Sequence, residues 1–218
     1  MNILNIISNL GRGGAESTLL KILLNDQSNK HIVISLKKDG ELAEIIKNNN
    51  IQLYELNFKF FNIFIYYKIG KIILKNRPDI IQTWMYHADL IGGLAARLAG
   101  CRKVIWGIRT TNIFPGKGVS RNTKWILKLC AILSNFIPHT ILCVANRSKA
   151  VHAEKGYTSS KMTVVSNGFE VKTYKLDLDI RHRIRQSLNV SSDTLIIGSI
   201  GRFNEYKDHR SFVLPILN

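Results

Sequence analysis

A glycine-rich turn near the amino terminus, ISNLGRGGAES at residues 8–18, follows an apolar run and leads directly into a helical pattern. Its Gly13 and Gly14 carry no side chain that blocks an approach to the backbone N–H groups. Such a turn at the end of a strand suits an anion held at the following helix amino terminus. The stretch has neither the GxGxxG spacing of a dinucleotide site nor the GK[ST] of a P-loop, so neither NAD binding nor ATP hydrolysis is indicated. The turn predicts either a phosphate site or a plain tight turn.

A second turn, GSIGRFNEYKDH at residues 198–209, repeats the arrangement of an apolar run, Gly201 and an approaching helix. It adds Arg202 and, five residues later, Lys207. The arginine offers a planar fork for phosphate oxygens and the lysine a point charge, so the pair suits a diphosphate. A solvated loop with two ordinary surface cations is the alternative. Taken together, the two turns predict one anion between two sheets.

The elements that position these turns are short β-branched runs that alternate with longer helical patterns. Strands are predicted over residues 2–8, 31–36, 51–56, 79–84, 102–108, 139–145 and 161–166. Helices are predicted over residues 15–27, 40–49, 61–76, 88–99 and 120–135. Because the strand runs are apolar on nearly every residue, they indicate a parallel sheet covered on both faces. The predicted fold class is α/β, a doubly wound parallel sheet that fills residues 1–175.

The composition changes after this domain. Residues 176–193 are polar and charged, contain one short helical pattern near 179–188, and are interpreted as a linker. A new strand at 194–201 and a partial helix then open a second β-α unit, which extends over 194–218. An isolated strand and helix cannot bury their own apolar faces, so a second domain needs more sequence than this. We therefore expect the chain to be truncated.

The charge balance is strongly positive, because 31 Lys and Arg against 15 Asp and Glu give a formal net charge of +16. Such an excess attracts anionic partners, whether nucleic acid, phosphorylated small molecules or anionic lipid headgroups. The basic residues are dispersed, so a continuous nucleic-acid stripe is only weakly indicated. Two segments, 58–77 and 114–130, mix aromatic and aliphatic residues with lysines, a pattern that fits an amphipathic helix at a lipid surface. A core-packing helix with solvated lysines is the alternative.

Three cysteines, Cys101, Cys130 and Cys143, stand in apolar surroundings and form no CxxC pair. They are interpreted as buried thiols of a reducing compartment, and no metal site is indicated. The first residues lack the basic region and the small-residue cleavage site of a signal peptide. No stretch reaches about 18 uninterrupted apolar residues. The sequence predicts a cytoplasmic protein whose contact with a membrane is peripheral, at the cytoplasmic face of the inner membrane.

Four motifs in this order resemble the family 4 retaining glycosyltransferases, which have the two-domain GT-B fold. They are GRGGAE after the first strand, TWMYHADLIGGLAARLAG after the fourth, VVSNGFE before the linker, and GRFNEYKDH. The resemblance implies that residues 1–175 form the Rossmann-like, acceptor-side domain. It also implies that residues 194–218 are the start of the Rossmann-like domain that binds the nucleotide sugar.

The resemblance further implies roles for the two glycine turns. Gly13 and Gly14 would lie beneath the donor diphosphate. Arg202 and Lys207, next to Gly201, would neutralise the charge that builds on the diphosphate as the sugar leaves. This scheme requires no cofactor and no metal ion, because the two cations supply the charge that a divalent ion supplies elsewhere.

At the end of the fifth strand, the family often has a histidine that faces the reacting sugar, and Arg109 stands at the matching place. His87, after the fourth strand, is a second candidate for the cleft, although a structural hydrogen bond at a helix start would explain it equally well. Asn167 matches the family's turn near the interdomain hinge, with Glu170 where an aspartate is more usual. The family's paired glutamates have no counterpart before Asn218, so we expect this chain alone to be inactive.

The resemblance thus implies a retaining glycosyltransferase that uses a nucleotide-diphosphate sugar and a lipid-linked saccharide acceptor in the assembly of a cell-surface polysaccharide such as lipopolysaccharide or capsule. The alternative is a non-catalytic basic domain that binds anionic membrane or nucleic acid, and of these two partners nucleic acid is not expected. A disrupted gene whose product has no activity is a third possibility.

Overall fold

The structure is a computed structural model that describes all residues except 59–62, 112–120, 170, 172–174, 202, 204–207 and 214–218. The described residues separate into two compact units, one up to Asn167 and the other from Gly168 onward. The placement of the domain boundary at residue 175, and the assignment of the two parts to acceptor and donor, remain predictions.

The amino-terminal unit alternates strands and helices. Its strands are β1 (Asn2–Ile7), β2 (Lys30–Ser35), β3 (Gln52–Glu55), β4 (Ile80–Trp84), β5 (Val104–Ile108), β6 (Thr140–Cys143) and β7 (Met162–Val164). Its helices are α1 (Gly14–Asn25), α2 (Ala43–Asn48), α3 (Phe64–Asn76), α4 (Tyr86–Leu98), α5 (Arg121–Leu133) and α6 (Asn146–Glu154), with a 3₁₀ turn at Ser159–Lys161. Each of the seven strands predicted for this unit is present, and every strand end lies within two residues of its predicted position.

All seven strands form one parallel sheet in the order β3-β2-β1-β4-β5-β6-β7. At the centre, Ile3 of β1 pairs with His31 on one side and with Ile80 on the other. The strand order reverses between β1 and β4, which is the topological switch point of a doubly wound sheet. The predicted α/β fold class is confirmed.

The core lies on both faces of this sheet. Ile6 belongs to a buried cluster that includes residues of α3, α4, α5 and α6, whereas its neighbour Ile7 belongs to a cluster with α1 and α2. Successive residues of a strand point to opposite faces, so an apolar run buried on both sides needs helices on both sides. The fully buried Trp84 and Trp106 are the largest side chains of the core.

Helix α6 was not among the predicted helices, because its sequence NRSKAVHAE is mostly polar. Only Ser148, Val151 and His152 of this helix are buried. Val151 belongs to the core, and the two polar side chains form hydrogen bonds with Thr110 and Tyr86.

The carboxy-terminal unit contains α7 (Leu178–Ser187), close to the predicted helical piece, and α8 (His209–Val213). The strand predicted at 194–201 is wrong, since residues 194–200 have no strand structure and Gly201 lies in a bend. A strand is held by hydrogen bonds to neighbouring strands, and none pairs with this segment among the described residues.

Among the residues that the structure describes, no helix combines the length and the apolar character needed to cross a membrane.

Candidate active site

The carboxyl ends of the strands meet at one edge of the sheet, which we call the carboxyl edge. In open parallel sheets, ligands bind in the crevice outside this edge, beside the switch point. Here the switch point lies between β1 and β4. The segments that follow β1, β2, β4 and β5 carry Ser8, Lys37, His87 and Arg109 respectively.

Arg109 comes directly after β5, and its guanidinium lies over the ring of Trp84 at 4.7 Å from the ring centre. Its Nη1 donates a hydrogen bond of 2.8 Å to Oδ1 of Asn167. Its Nε is buried and has no hydrogen-bond partner among the described residues. Burial lowers the pKa of Arg109, but an arginine remains a cation at neutral pH. The structure thus brings together two residues of the predicted site, Arg109 and Asn167.

Trp84 was not predicted as part of the site, and it is itself held in place by hydrogen bonds. Its Nε1 donates to Oδ1 of Asn5 at 3.2 Å. The Nδ2 group of Asn5 in turn donates to Nδ1 of His31 at 3.3 Å, which leaves Nε2 of His31 to donate to Asp26 at 3.0 Å. The aromatic face beneath Arg109 is therefore oriented by buried polar partners rather than by packing alone.

Met85 joins β4 to α4 with φ 71° and ψ 157°, a backbone conformation that is almost confined to glycine. Such a conformation costs about 1–3 kcal/mol and persists only where neighbouring structure enforces it. Two hydrogen bonds enforce it here: the Met85 N–H donates to the carbonyl of Gly107 at 3.1 Å, and its carbonyl accepts from the N–H of Asp89 at 2.9 Å. Strain of this kind concentrates at functional sites, and this one directly precedes Tyr86 and His87.

A cavity of about 360 Å³ opens at the carboxyl edge, and we call it the carboxyl-edge cavity. It is lined by Ser8, Asn9, Leu36, Lys37, Phe58 and His87. The imidazole of His87 is half-buried, and burial followed by the charge of Lys37 lowers its pKa, so this side chain is neutral at pH 7. The cavity lies at the position where the sequence predicted a cleft residue.

The first glycine turn forms the start of α1, as predicted. Gly13 is the amino-terminal cap, and its carbonyl accepts the first helical hydrogen bond from Ser17 at 2.9 Å. The Glu16 carboxylate occupies the space where a side chain at Gly13 would begin, whereas no atom lies within 4 Å of that position at Gly14. The role of both glycines in diphosphate binding remains a prediction.

The second glycine turn differs from the prediction. Gly201 is exposed, and no strand precedes it. Arg202, Lys207 and Glu170 lie outside the described residues, so their predicted places are untested. The basic segment 114–130 is likewise described only from residue 121 onward.

A buried polar chain supports the segment that carries Arg109. The Tyr86 hydroxyl donates to Nε2 of His152 at 2.6 Å, and Nδ1 of His152 donates to the carbonyl of Ser148 at 2.7 Å. The Ser148 hydroxyl then donates to the carbonyl of Thr110 at 2.9 Å. Burial lowers the pKa of His152, which keeps the ring neutral. The start of α4 and the chain after β5 are thereby tied through α6.

The three cysteines are free thiols, with Cys130 and Cys143 buried and Cys101 half-buried. The prediction of a buried thiol is confirmed for Cys130 and Cys143 and is wrong for Cys101. Burial raises the pKa of Cys143 to about 11, and that of Cys130 further still, so neither is a thiolate at neutral pH.

Comparison with known proteins identifies the family. Residues 12–173, more than half of the chain, match Glycosyltransferase Family 4. The chain belongs to Glycosyltransferase Family 4. The resemblance that the four sequence motifs indicated is thereby confirmed.

One protein is similar to this chain in sequence, and solved structures share its fold. An Escherichia coli protein, UDP-Gal:alpha-D-GlcNAc-diphosphoundecaprenol alpha-1,3-galactosyltransferase, is 22% identical over 134 residues, which are 61% of this chain and 34% of that protein. Anabaena HepE in complex with UDP is 19% identical with a TM-score of 0.79, over 96% of this chain and 56% of that one. A glycosyltransferase from Rickettsia africae is 20% identical with a TM-score of 0.71, over 97% and 55% of the two chains. The chain spans about half the length of these solved structures.

Proposed function

We propose that this chain works in a retaining glycosyltransferase that moves a sugar from a nucleotide-diphosphate sugar to a lipid-linked saccharide in cell-surface polysaccharide assembly. The observation that carries the proposal is the Glycosyltransferase Family 4 match together with Arg109, Trp84 and His87 at the carboxyl edge. The names of the relatives support the substrate classes, since HepE has been solved with UDP-glucose and the Escherichia coli protein is named for a diphosphoundecaprenol-linked acceptor.

Gly13 and Gly14, at the start of α1, are proposed to bind the donor diphosphate. Arg202 and Lys207, which follow Gly201 in the sequence, are proposed to neutralise its charge. Positive charge placed where the leaving diphosphate gains negative charge lowers the transition-state energy more than the ground-state energy. The reaction then needs no metal ion, because the two side chains neutralise the leaving group.

Arg109 is proposed to face the reacting sugar. Its guanidinium keeps a buried donor, Nε, that the described residues leave unused, while Trp84 and Asn167 fix its orientation. A cation held in this way stabilises negative charge without reorganisation during the reaction. His87, which is neutral, is proposed to contact the acceptor rather than to supply charge.

Contact with an anionic membrane at the cytoplasmic face is proposed through α5. On one side of this helix and of the turn after it, Trp125, Leu129, Ile132 and Phe136 follow a helical spacing and are all exposed, Trp125 at 66% and Ile132 at 67%. Lys128 lies over the Trp125 ring at 5.4 Å and keeps a positive charge beside this stripe. An apolar stripe flanked by lysines binds a lipid interface by burial and by charge attraction.

The test is sugar transfer by the native gene product that contains this chain, with UDP-glucose and UDP-galactose as donors and a diphosphate-linked saccharide as acceptor. Arg202→Ala is expected to lower kcat by about a hundredfold or more, the usual loss when one such donor is removed. Arg210→Ala, an exposed arginine on α8, is the matched control and is expected to leave kcat unchanged. The anomeric configuration of the product, read by NMR, tests retention.

Acceptor presented in phosphatidylglycerol vesicles is expected to react faster than acceptor in phosphatidylcholine vesicles. Unchanged transfer in Arg202→Ala would contradict the proposed donor site. Vesicle binding without transfer by any variant would instead favour a non-catalytic membrane-binding protein.

A further inference from the structure

Two polar side chains that line the carboxyl-edge cavity, Ser8 and Asn9, have groups free to donate hydrogen bonds. The Ser8 hydroxyl oxygen is buried and has no hydrogen-bond partner among the described residues. The side-chain oxygen of Asn9 already accepts from the N–H of Gly11 at 2.9 Å, so its NH₂ group is what remains for a ligand. A buried hydroxyl without a hydrogen-bond partner lowers stability by about 1–3 kcal/mol. A ligand that accepts a hydrogen bond from this hydroxyl recovers that energy.

The residues that line the cavity carry a positive charge, that of Lys37. None of the six lining residues is acidic. Of the carboxylates on the segments after β2 and β3, Glu41 pairs with Arg12 at 2.5 Å and Glu55 with Lys47 at 2.6 Å. In the part of the chain that the structure describes, the Lys37 ammonium is in no ion pair.

The remaining walls of the cavity are apolar, formed by Leu36 and Phe58. A volume of about 360 Å³ lies at the lower end of the range for small-molecule sites, roughly 300–1,000 Å³. One sugar ring with an anionic substituent fits this combination of an apolar wall, several donors and one ammonium. A second cavity of about 250 Å³ at the opposite edge places Asp79 beside Arg102 and Lys103, so its charge is mixed and favours no anion.

We propose that the carboxyl-edge cavity binds an anionic group, a phosphate or a carboxylate, on the saccharide acceptor, with Lys37 as the charge partner and Ser8 and Asn9 as neutral donors. The term acceptor rests on the proposed function, whereas the anion site itself does not. Lys37 thereby selects charged over uncharged saccharides.

The experiment measures binding to the purified 218-residue chain by NMR, with glucose 1-phosphate, glucuronate, glucose and UDP as probes. Glucose 1-phosphate is expected to saturate and to shift the amide signals of residues 8–9 and 36–37. Glucose lacks the charge, so its affinity is expected to be lower by a factor of about ten or more, as the loss of one charged hydrogen bond implies. If glucuronate binds as tightly as glucose 1-phosphate, a carboxylate is sufficient. If glucuronate binds more weakly, the site prefers a phosphate. Both results support the anion site.

Substitutions of single residues test whether the probes bind in the carboxyl-edge cavity. Lys37→Gln is expected to weaken glucose 1-phosphate binding about tenfold, whereas Lys38→Gln, the exposed neighbour that does not line the cavity, is expected to keep it. Ser8→Ala removes a hydroxyl with no partner in the free protein, so the fold is expected to be kept while binding weakens. Equal weakening in Lys37→Gln and Lys38→Gln, or no saturation by any charged probe, would overturn the anion site.

Displacement of glucose 1-phosphate by UDP would overturn the assignment to the acceptor, because the cavity would then hold the donor. Binding of glucose 1-phosphate to this chain, together with a native gene product that transfers no sugar, would contradict the proposed function and leave the anion site intact. Transfer without binding of any charged probe would contradict this inference alone.

Discussion

The two units of this chain use similar apolar sequences in opposite ways. In the amino-terminal unit, the strand runs of β1, β4 and β5 are buried, and Trp84 and Trp106 are fully so. In the carboxy-terminal unit, the equally apolar run at 194–200 leaves Leu195 83% and Ile200 103% exposed. Hydrophobic composition therefore does not decide whether a segment becomes a strand.

The difference lies in the neighbours. β1 is hydrogen-bonded to β2 on one side and to β4 on the other, so its backbone groups have partners. Helices cover both of its faces. Within the described residues, the run at 194–200 has no strand beside it. A single strand has no ladder partner for its backbone groups and no layer to cover its faces.

The carboxy-terminal unit is instead held by local polar contacts. The Asp177 side chain accepts from the N–H of Ile180 at 2.8 Å and caps α7. Arg185 of the same helix donates to the carbonyls of Ser191, at 3.0 Å from Nε, and Thr194, at 2.5 Å. Such contacts join residues close in sequence, so they form without a core.

The difference between the two units is tested by removing one large apolar side chain from each. Trp106→Ala is expected to lower the free energy of unfolding by about 3–5 kcal/mol, because it empties a fully buried site. Ile200→Ala is expected to change it by less than about 0.5 kcal/mol, because the side chain is already in water. Urea unfolding followed by circular dichroism measures both. A loss at Ile200 comparable to that at Trp106 would show that Ile200 is buried in the folded protein.

Two glycines of the amino-terminal unit, one closely packed and one in open space, are expected to respond oppositely to substitution by alanine. A side chain at Gly107 of β5 would begin 2.8 Å from the backbone oxygen of Thr83, which cannot move aside, so Gly107→Ala is expected to cost about 1–3 kcal/mol. Gly70→Ala in α3, where no atom lies within 4 Å, is the matched control and is expected to stabilise by about 0.5–1 kcal/mol. Thermal unfolding of both variants checks the signs, and a destabilising Gly70→Ala would refute the helix packing described.

The buried core of the amino-terminal unit also makes stability depend on pH. Burial raises the pKa of the Asp89 carboxyl well above its usual value, although the Thr83 hydroxyl donates to it at 2.6 Å. The folded state thus holds a proton that the unfolded state releases above about pH 4, so stability falls as pH rises, by up to about 1.4 kcal/mol per unit. Asp89→Asn is expected to remove this slope between pH 5 and 7, as measured by urea unfolding. An unchanged slope would mean that Asp89 is charged in the folded protein.

Sequence reasoning was most successful where a pattern has one structural solution. The apolar runs of the amino-terminal unit predicted seven parallel strands, and the helix predicted at residues 15–27, directly after the glycine turn, is α1, which begins at Gly14. Helix α6 was missed because only three of its residues are buried, too few to create an apolar period. The strand at 194–201 was wrong because its pattern requires a neighbour.

The candidate site contains residues that were predicted from the sequence and residues that were not. Arg109, His87 and Asn167 were predicted from their positions after strands and from the family resemblance. Trp84, Lys37 and Ser8 were not, although a location at or directly after a strand's carboxyl end was the signal that they shared.

The sequence by itself determined the fold class, the family and the candidate residues at strand ends, because periodicity and turn chemistry are local properties. Only the tertiary structure decided that Arg109 stacks on Trp84 and bonds Asn167, 58 residues away along the chain. It alone also placed Lys37 beside His87 at one cavity. These contacts depend on the strand order at the switch point, which juxtaposes segments that are distant in sequence.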